Sequence, residues 1–140
     1  GDLFSPNFIE AQSLLGQHPP LELLAGLLAG GAPLVVLRLG DRGSLAALRG
    51  SPTAIQVPAM PVTVVDPVGA GNAFCGGFLA GWVQTHDLVR SAAMGAVSAS
   101  FLVEQVGLPH WTADTRREAA ERLAFVLNQS QVISIPQGGN

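Results

Sequence analysis

The sequence predicts a layered α/β fold, and three observations carry that prediction. Leu34 to Leu39 is a near-continuous apolar run that follows a helical stretch, the pattern of a strand covered on both faces after a crossover. Val62 to Asp66 reads as a second short buried strand, rich in valine and stopped by Pro67, which cannot continue a central ladder. Beyond a glycine turn, Phe74, Phe78 and Trp82 recur at four-residue intervals, a helical period. Hydrophobic residues make up 48% of the chain and charged ones 12%, so it can bury a core and is not a disordered segment.

Taken in order, Leu3 and Phe4 finish a strand and Ser5-Pro6 turn the chain. Phe8 to Leu15 form a short helix closed by Gly16. Leu21 to Leu28 form a second, with Leu21, Leu24, Ala25 and Leu28 on one face and Gly30-Gly31 as its stop. After the Leu34 strand, Gly40-Asp41-Arg42-Gly43-Ser44 is a turn by composition, and Leu45 to Leu48 make a short strand. Residues 49–61, with Pro52, Pro58 and Pro61, read as a linker into the Val62 strand. The helix after the glycine turn starts at Asn72, a good capping residue type. Asp87 or Ser91 caps a small-residue helix ending near Gly107-Leu108-Pro109. Thr112 or Asp114 caps a last helix, Thr115 to Leu127, with Arg116, Arg117, Glu118, Glu121 and Arg122 on its wet side. Gln131 to Ile135 is an edge strand, and residues 138–140 a frayed tail.

Composition excludes several functions. The net charge is −3 and the seven basic residues are all arginine, which leaves no basic footprint for nucleic acid. No apolar run is long enough for a membrane span, and no signal-peptide pattern is present. The single cysteine, Cys75, cannot form an internal disulfide and points to a reducing, cytoplasmic compartment. His86 has no second His or Cys near it in sequence and reads as a loop residue rather than a ligand.

The stretch D-P-V-G-A-G-N-A-F, Asp66 to Phe74, carries the chemistry. A glycine turn that opens a helix presents unpaired amides at the positive end of the dipole and suits an anion. A Walker phosphate loop needs a lysine, and the chain has none. A dinucleotide fingerprint needs glycine at Phe74 and an acid near Ala92, and neither is present. Asn7 and Glu10 form N-x-x-E, which a helix cap with an acid in its first turn would explain by itself.

The Asp66–Phe74 stretch resembles the second signature of the ribokinase-like (PfkB) carbohydrate kinases, usually D-T-x-G-A-G-D-x-F. That resemblance implies a three-layer ribokinase-like fold, a partly parallel sheet flanked by helices. It takes residues 1–140 as the C-terminal part of a longer kinase domain whose N-terminal half carries most of the sugar grip. The start at Gly1 without methionine agrees with that expectation. It implies ATP and Mg2+ as cofactors, with a monovalent cation such as K+, and a nucleotide and a sugar-like substrate as partners.

By the same resemblance, the amides of Gly69, Ala70 and Gly71 form the anion hole, and position 72 is the catalytic base. Here that residue is Asn72, as in the Mak32-like fungal branch. Asn7, Gly40, Gly43, Ala99 and Val103 fall on the nucleotide side, and Glu10 and Asp66 near metal ions. Arg38 stands where many members carry Lys or Thr. The alternative is a catalytically weakened, kinase-like protein that serves as a nucleotide-binding or protein-interaction module.

Overall fold

The computed structural model describes residues 3–65, 69–104 and 112–136, and the chain divides into two compact units. Unit 1 comprises Gly1–Gln56 and Gln131–Asn140, and unit 2 comprises Val57–Ser130.

Unit 1 is a mixed sheet with two helices. Its elements are β1 (Leu3–Phe4), α1 (Phe8–Leu15), α2 (Pro20–Ala29), β2 (Leu34–Arg38), β3 (Ser44–Leu48), β4 (Thr53–Val57) and, from the end of the chain, β5 (Gln131–Ser134). The strand order is β1-β2-β3-β4-β5. β1 and β2 are parallel, joined through the two helices, while β2–β3 and β4–β5 are antiparallel. Pairing puts Val35 opposite Ala47 and Leu37 opposite Leu45. These side chains, with Ala54 and Ile135, form the core with Ala11 of α1 and Leu23, Leu24, Leu27 and Leu28 of α2. Each fully buried leucine contributes on the order of 2 kcal/mol by leaving water. Val36 and Ala46, on the opposite face, are also buried, as the unbroken apolar run of β2 requires.

α1 has the predicted bounds, and α2 is close to its own. The buried face of α2 is turned toward Leu23 and Leu27, however, and Leu21 and Ala25 are only half-buried. β5 is an edge strand, as expected. β4 was not foreseen: Thr53–Val57 lies inside the stretch read as linker.

Unit 2 is helical: α3 (Ala70–Thr85), α4 (Leu88–Val103) and α5 (Ala113–Gln129). α3 and α4 form a hairpin whose seam is lined by glycines, with Ser98, Met94 and Phe74 of the facing helix packed directly against them. A Cβ added at Gly77 would lie 2.6 Å from the Met94 carbonyl oxygen. At Gly95 it would lie 2.8 Å from that of Phe74. Glycine is required here for close approach. Phe74, Phe78 and Trp82 stack in sequence, with ring centroids 6.5 and 6.3 Å apart, and the His86 ring lies 5.3 Å beyond Trp82. His86 ends α3 in the left-handed conformation.

Two expectations fail here. Residues 62–65 form no ladder: the chain bends at Val65, whose amide donates to the Val103 carbonyl of α4 at 2.6 Å. A valine-rich run is not a strand without a partner, and none pairs with it among the described residues. The second failure is Arg122, which faces inward and is 7% exposed rather than wet. Asp66 and the Gly107-Leu108-Pro109 loop lie outside the described residues.

Candidate active site

Each unit carries part of the set of residues singled out in the sequence. In unit 1 the set gathers where β1 and β2 end. Asn7 bridges in parallel to Arg38, continuing the β1–β2 pairing. Asn7 also caps α1: its side chain accepts from the Glu10 amide at 2.8 Å, and Glu10 Oε1 accepts from the Asn7 amide at 2.8 Å. The capping explanation of N-x-x-E therefore holds as geometry, and it leaves the second oxygen of Glu10 outside the capping box. Arg38 lies 3.8 Å from Glu10 Oε1 and donates to the Ser5 carbonyl oxygen at 3.0 Å. Beyond β2, Gly40–Arg42 make a single 3-10 turn, closed by the Leu39 amide donating to the Gly43 carbonyl at 2.7 Å. Arg42 then stands over the Phe8 ring, 5.2 Å from its centroid. Asn7, Glu10, Gly40 and Gly43 thus share one end of the sheet. Sequence reasoning gave no weight to Arg42 or Ser5. Ser44, next to Gly43, is buried, and its hydroxyl has no hydrogen-bond partner among the described residues.

In unit 2 the glycine turn opens α3 as expected, but its cap is different. Gly69, not Asn72, is the N-cap, held at φ 83 in the left-handed region that glycine alone enters without strain. Asn72 is the third helical residue, exposed, and not a cap. The first bond inside the helix runs from the Ala73 amide to the Gly69 carbonyl at 2.9 Å. The amides of Ala70, Gly71 and Asn72 therefore have no acceptor within the helix, and Gly69 brings no side chain to supply one. Three donors at the positive end of a 16-residue helix face an exposed turn.

Of the α4 positions expected on the nucleotide side, Val103 is buried and Ala99 half-buried. Val103 braces the approach to the turn through its bond from Val65. Its neighbour Leu102 touches Gly69: a Cβ built there would lie 3.0 Å from Leu102 Cδ2.

Arg122 of α5 reaches the same end of α4. It pairs with Glu104 at 2.7 Å and with Glu118, donates to the Ser100 hydroxyl at 2.9 Å, and lies over the Phe101 ring at 4.1 Å. Burial alone would lower the guanidinium pKa. The hydrogen bonds and charges of Glu104 and then Glu118 outweigh it, so the pKa is raised above its ordinary value. Alkaline pH therefore does not release this clamp: the stability it gives persists until pH rises through that raised value. A groove of about 400 Å³, lined partly by Glu121 and Phe125, opens beside the pair, and none of residues 69–72 lines it. Cys75 is half-buried on α3. Among the described residues no helix is long and apolar enough to cross a membrane, and no three His, Cys, Asp or Glu side chains gather to hold a metal.

Residues 2–115 match the family described as pfkB family carbohydrate kinase. The chain is 32% identical over 106 residues to an ATP-dependent 6-phosphofructokinase of Thermoanaerobacterium thermosaccharolyticum, covering 76% of this chain and 32% of that enzyme. It is 30% identical over 108 residues to the protein MAK32 of Saccharomyces cerevisiae, covering 69% of this chain and 30% of that protein. A probable sugar kinase from Rhizobium etli superposes with a TM-score of 0.75 at 25% identity, over 87% of this chain and 36% of that one. A fructokinase from Vibrio cholerae, in a form bound to fructose, ADP and calcium, gives 0.67 at 25% identity, over 89% of this chain and 41% of that one. This chain thus spans a minor part of the length of each. The glycine turn, the mixed sheet of unit 1 and the match over residues 2–115 agree: this chain has a partial ribokinase-like fold and belongs to the pfkB family of carbohydrate kinases.

Proposed function

We propose that this chain is the nucleotide-side portion of an ATP-dependent kinase that phosphorylates a hydroxyl of a sugar or small alcohol. The observation that carries the proposal is the start of α3, where the Ala70, Gly71 and Asn72 amides lack intrahelical acceptors behind a left-handed Gly69. Phosphoryl transfer asks the protein mainly to position the groups and to stabilise charge on the moving phosphoryl oxygens. Preset backbone donors do this without reorganising, and losing one typically costs on the order of 100- to 1000-fold in rate. The attacking hydroxyl oxygen bonds the γ-phosphorus, the bond to ADP breaks, and the hydroxyl proton must leave.

Asn72 sits where an aspartate would take that proton, but an amide side chain carries no basic site. It orients the hydroxyl by hydrogen bonding, and the proton passes to an oxygen of the transferring phosphoryl group and from there to solvent water. Glu10 is suited to help hold magnesium: one carboxylate oxygen lies outside the capping box, and Mg2+ takes few protein ligands beside phosphate oxygens and water. Bound with the nucleotide, the ion would neutralise phosphate charge. Gly40 and Gly43 belong to the nucleotide side, with Asn7, Ala99 and Val103. The acid Asp66 and a monovalent cation complete the expected set. The sugar grip falls to the N-terminal half of the same protein, in the cytoplasm.

The neutral Asn72 favours one second reading, an attenuated kinase that binds nucleotide and turns over slowly. Both readings are tested on the full-length protein, by ATP turnover over a panel of sugars and by ADP binding, for wild type and Asn72→Asp. Supplying the base should raise turnover by roughly 100-fold or more if its absence limits the rate. Equal turnover in both forms would mean that the missing base is not limiting. Absence of nucleotide binding in both would overturn both readings.

A further inference from the structure

We propose that Arg122 is a positioning residue for the glycine turn, acting from α5 through the last turn of α4. The proposal rests on the reading of residues 69–72 as an anion-binding turn, and its geometry lies within unit 2. The guanidinium donates to Ser100 of α4 and to Glu104, the residue that caps that helix, and is steadied by Glu118 and the Phe101 ring. Between those two anchors lie Leu102 and Val103. Leu102 touches Gly69, and the Val103 carbonyl accepts from Val65. The same short piece of helix therefore meets the chain on both sides of the turn's entry, and Arg122 fixes where that piece sits.

The residue type supports a positioning role over simple adhesion. Burying a guanidinium costs several kcal/mol of hydration, and apolar residues of similar volume commonly hold two elements together as well or better. An arginine adds direction: its planar fork satisfies acceptors at set angles, which an aliphatic contact does not do. Here the acceptors are the hydroxyl and the carboxylate that bracket Leu102 and Val103. Without the fork, α4 keeps its packing on α3 but loses the bonds that fix its final turn.

The test uses the full-length protein with Arg122→Met, which keeps bulk over Phe101, and Glu104→Gln, which removes only the charge of one acceptor. Amide hydrogen exchange is read at Val65 and Ala73, whose bonds to Val103 and Gly69 bracket the turn, and at His86, bonded to Trp82 at the far end of α3. Exchange at Val65 and Ala73 should rise about tenfold or more in Arg122→Met, and less in Glu104→Gln, with His86 unchanged. In parallel, kcat should fall roughly 10- to 100-fold with little change in the KM for ATP. Faster exchange confined to α4 and α5, with Val65 and Ala73 as in wild type, overturns the proposal. If Arg122→Met unfolds, and His86 exchanges faster with everything else, the Glu104→Gln result decides by the same criterion. If the wild type shows no turnover and no ADP binding, the kinase reading fails, while the exchange data still decide whether Arg122 controls the turn.

Discussion

The turn after β2 and the turn that opens α3 are built in opposite ways. At the end of β2 the polar groups are used on one another: Asn7 with Glu10, Arg38 with Ser5 and Glu10, Arg42 over Phe8. At the start of α3 they are left open, because glycine brings no side chain and the helix geometry leaves three amides without acceptors. The first turn adds side-chain pairing to its own backbone bonds, and the second rests on backbone. The difference implies that side-chain substitutions should mostly cost stability in the first region, whereas backbone-directed ones should cost function in the second.

The sharpest way to break that contrast is Gly69→Val. A β-branched residue is strained at φ 83, by about 1–3 kcal/mol, and its Cβ meets Leu102. If an amide is displaced, turnover of the full-length protein should drop about 100- to 1000-fold, with ADP binding weakened. Unchanged binding and turnover would remove the glycine turn from the mechanism. The next largest effect is expected at the α3–α4 seam. Gly77→Ala places a methyl 2.6 Å from the Met94 carbonyl and should cost roughly 1–3 kcal/mol in urea unfolding. The smallest is Asn7→Ala, which removes one half of the capping box and should cost about 1 kcal/mol. A loss of ADP affinity well beyond that cost would show that the β2 end is more than a cap, and would narrow the difference between the two turns.

What could be read from the sequence depended on distance along the chain. α1 was legible because its cap, its acid and its closing Gly16 are local. The glycine turn was legible as a helix start, although the αL role of Gly69 displaced Asn72 from the cap by three residues. β4 was hidden because its antiparallel partner β5 is remote and the prolines around Thr53–Val57 read as linker. Arg122 was misplaced for the same reason. Helical periodicity put it with Arg116 and Glu118 on a wet face, while its decisive acceptors, Ser100 and Glu104, sit on another helix. The only local trace was the i, i+4 pair with Glu118.

The glycine-lined seam between α3 and α4 has a mechanical consequence. Where side chains separate two helices, rotamer changes absorb small displacements. Where one helix contributes only glycine, as at Gly77, Gly81 and Gly95, its own side has no such cushion, and the backbone of the partner helix comes as close as its side chains do. A push on one helix is then passed on to the other nearly undamped, so tolerance to sequence drift should be lowest along this line and highest on the outward surfaces of the pair.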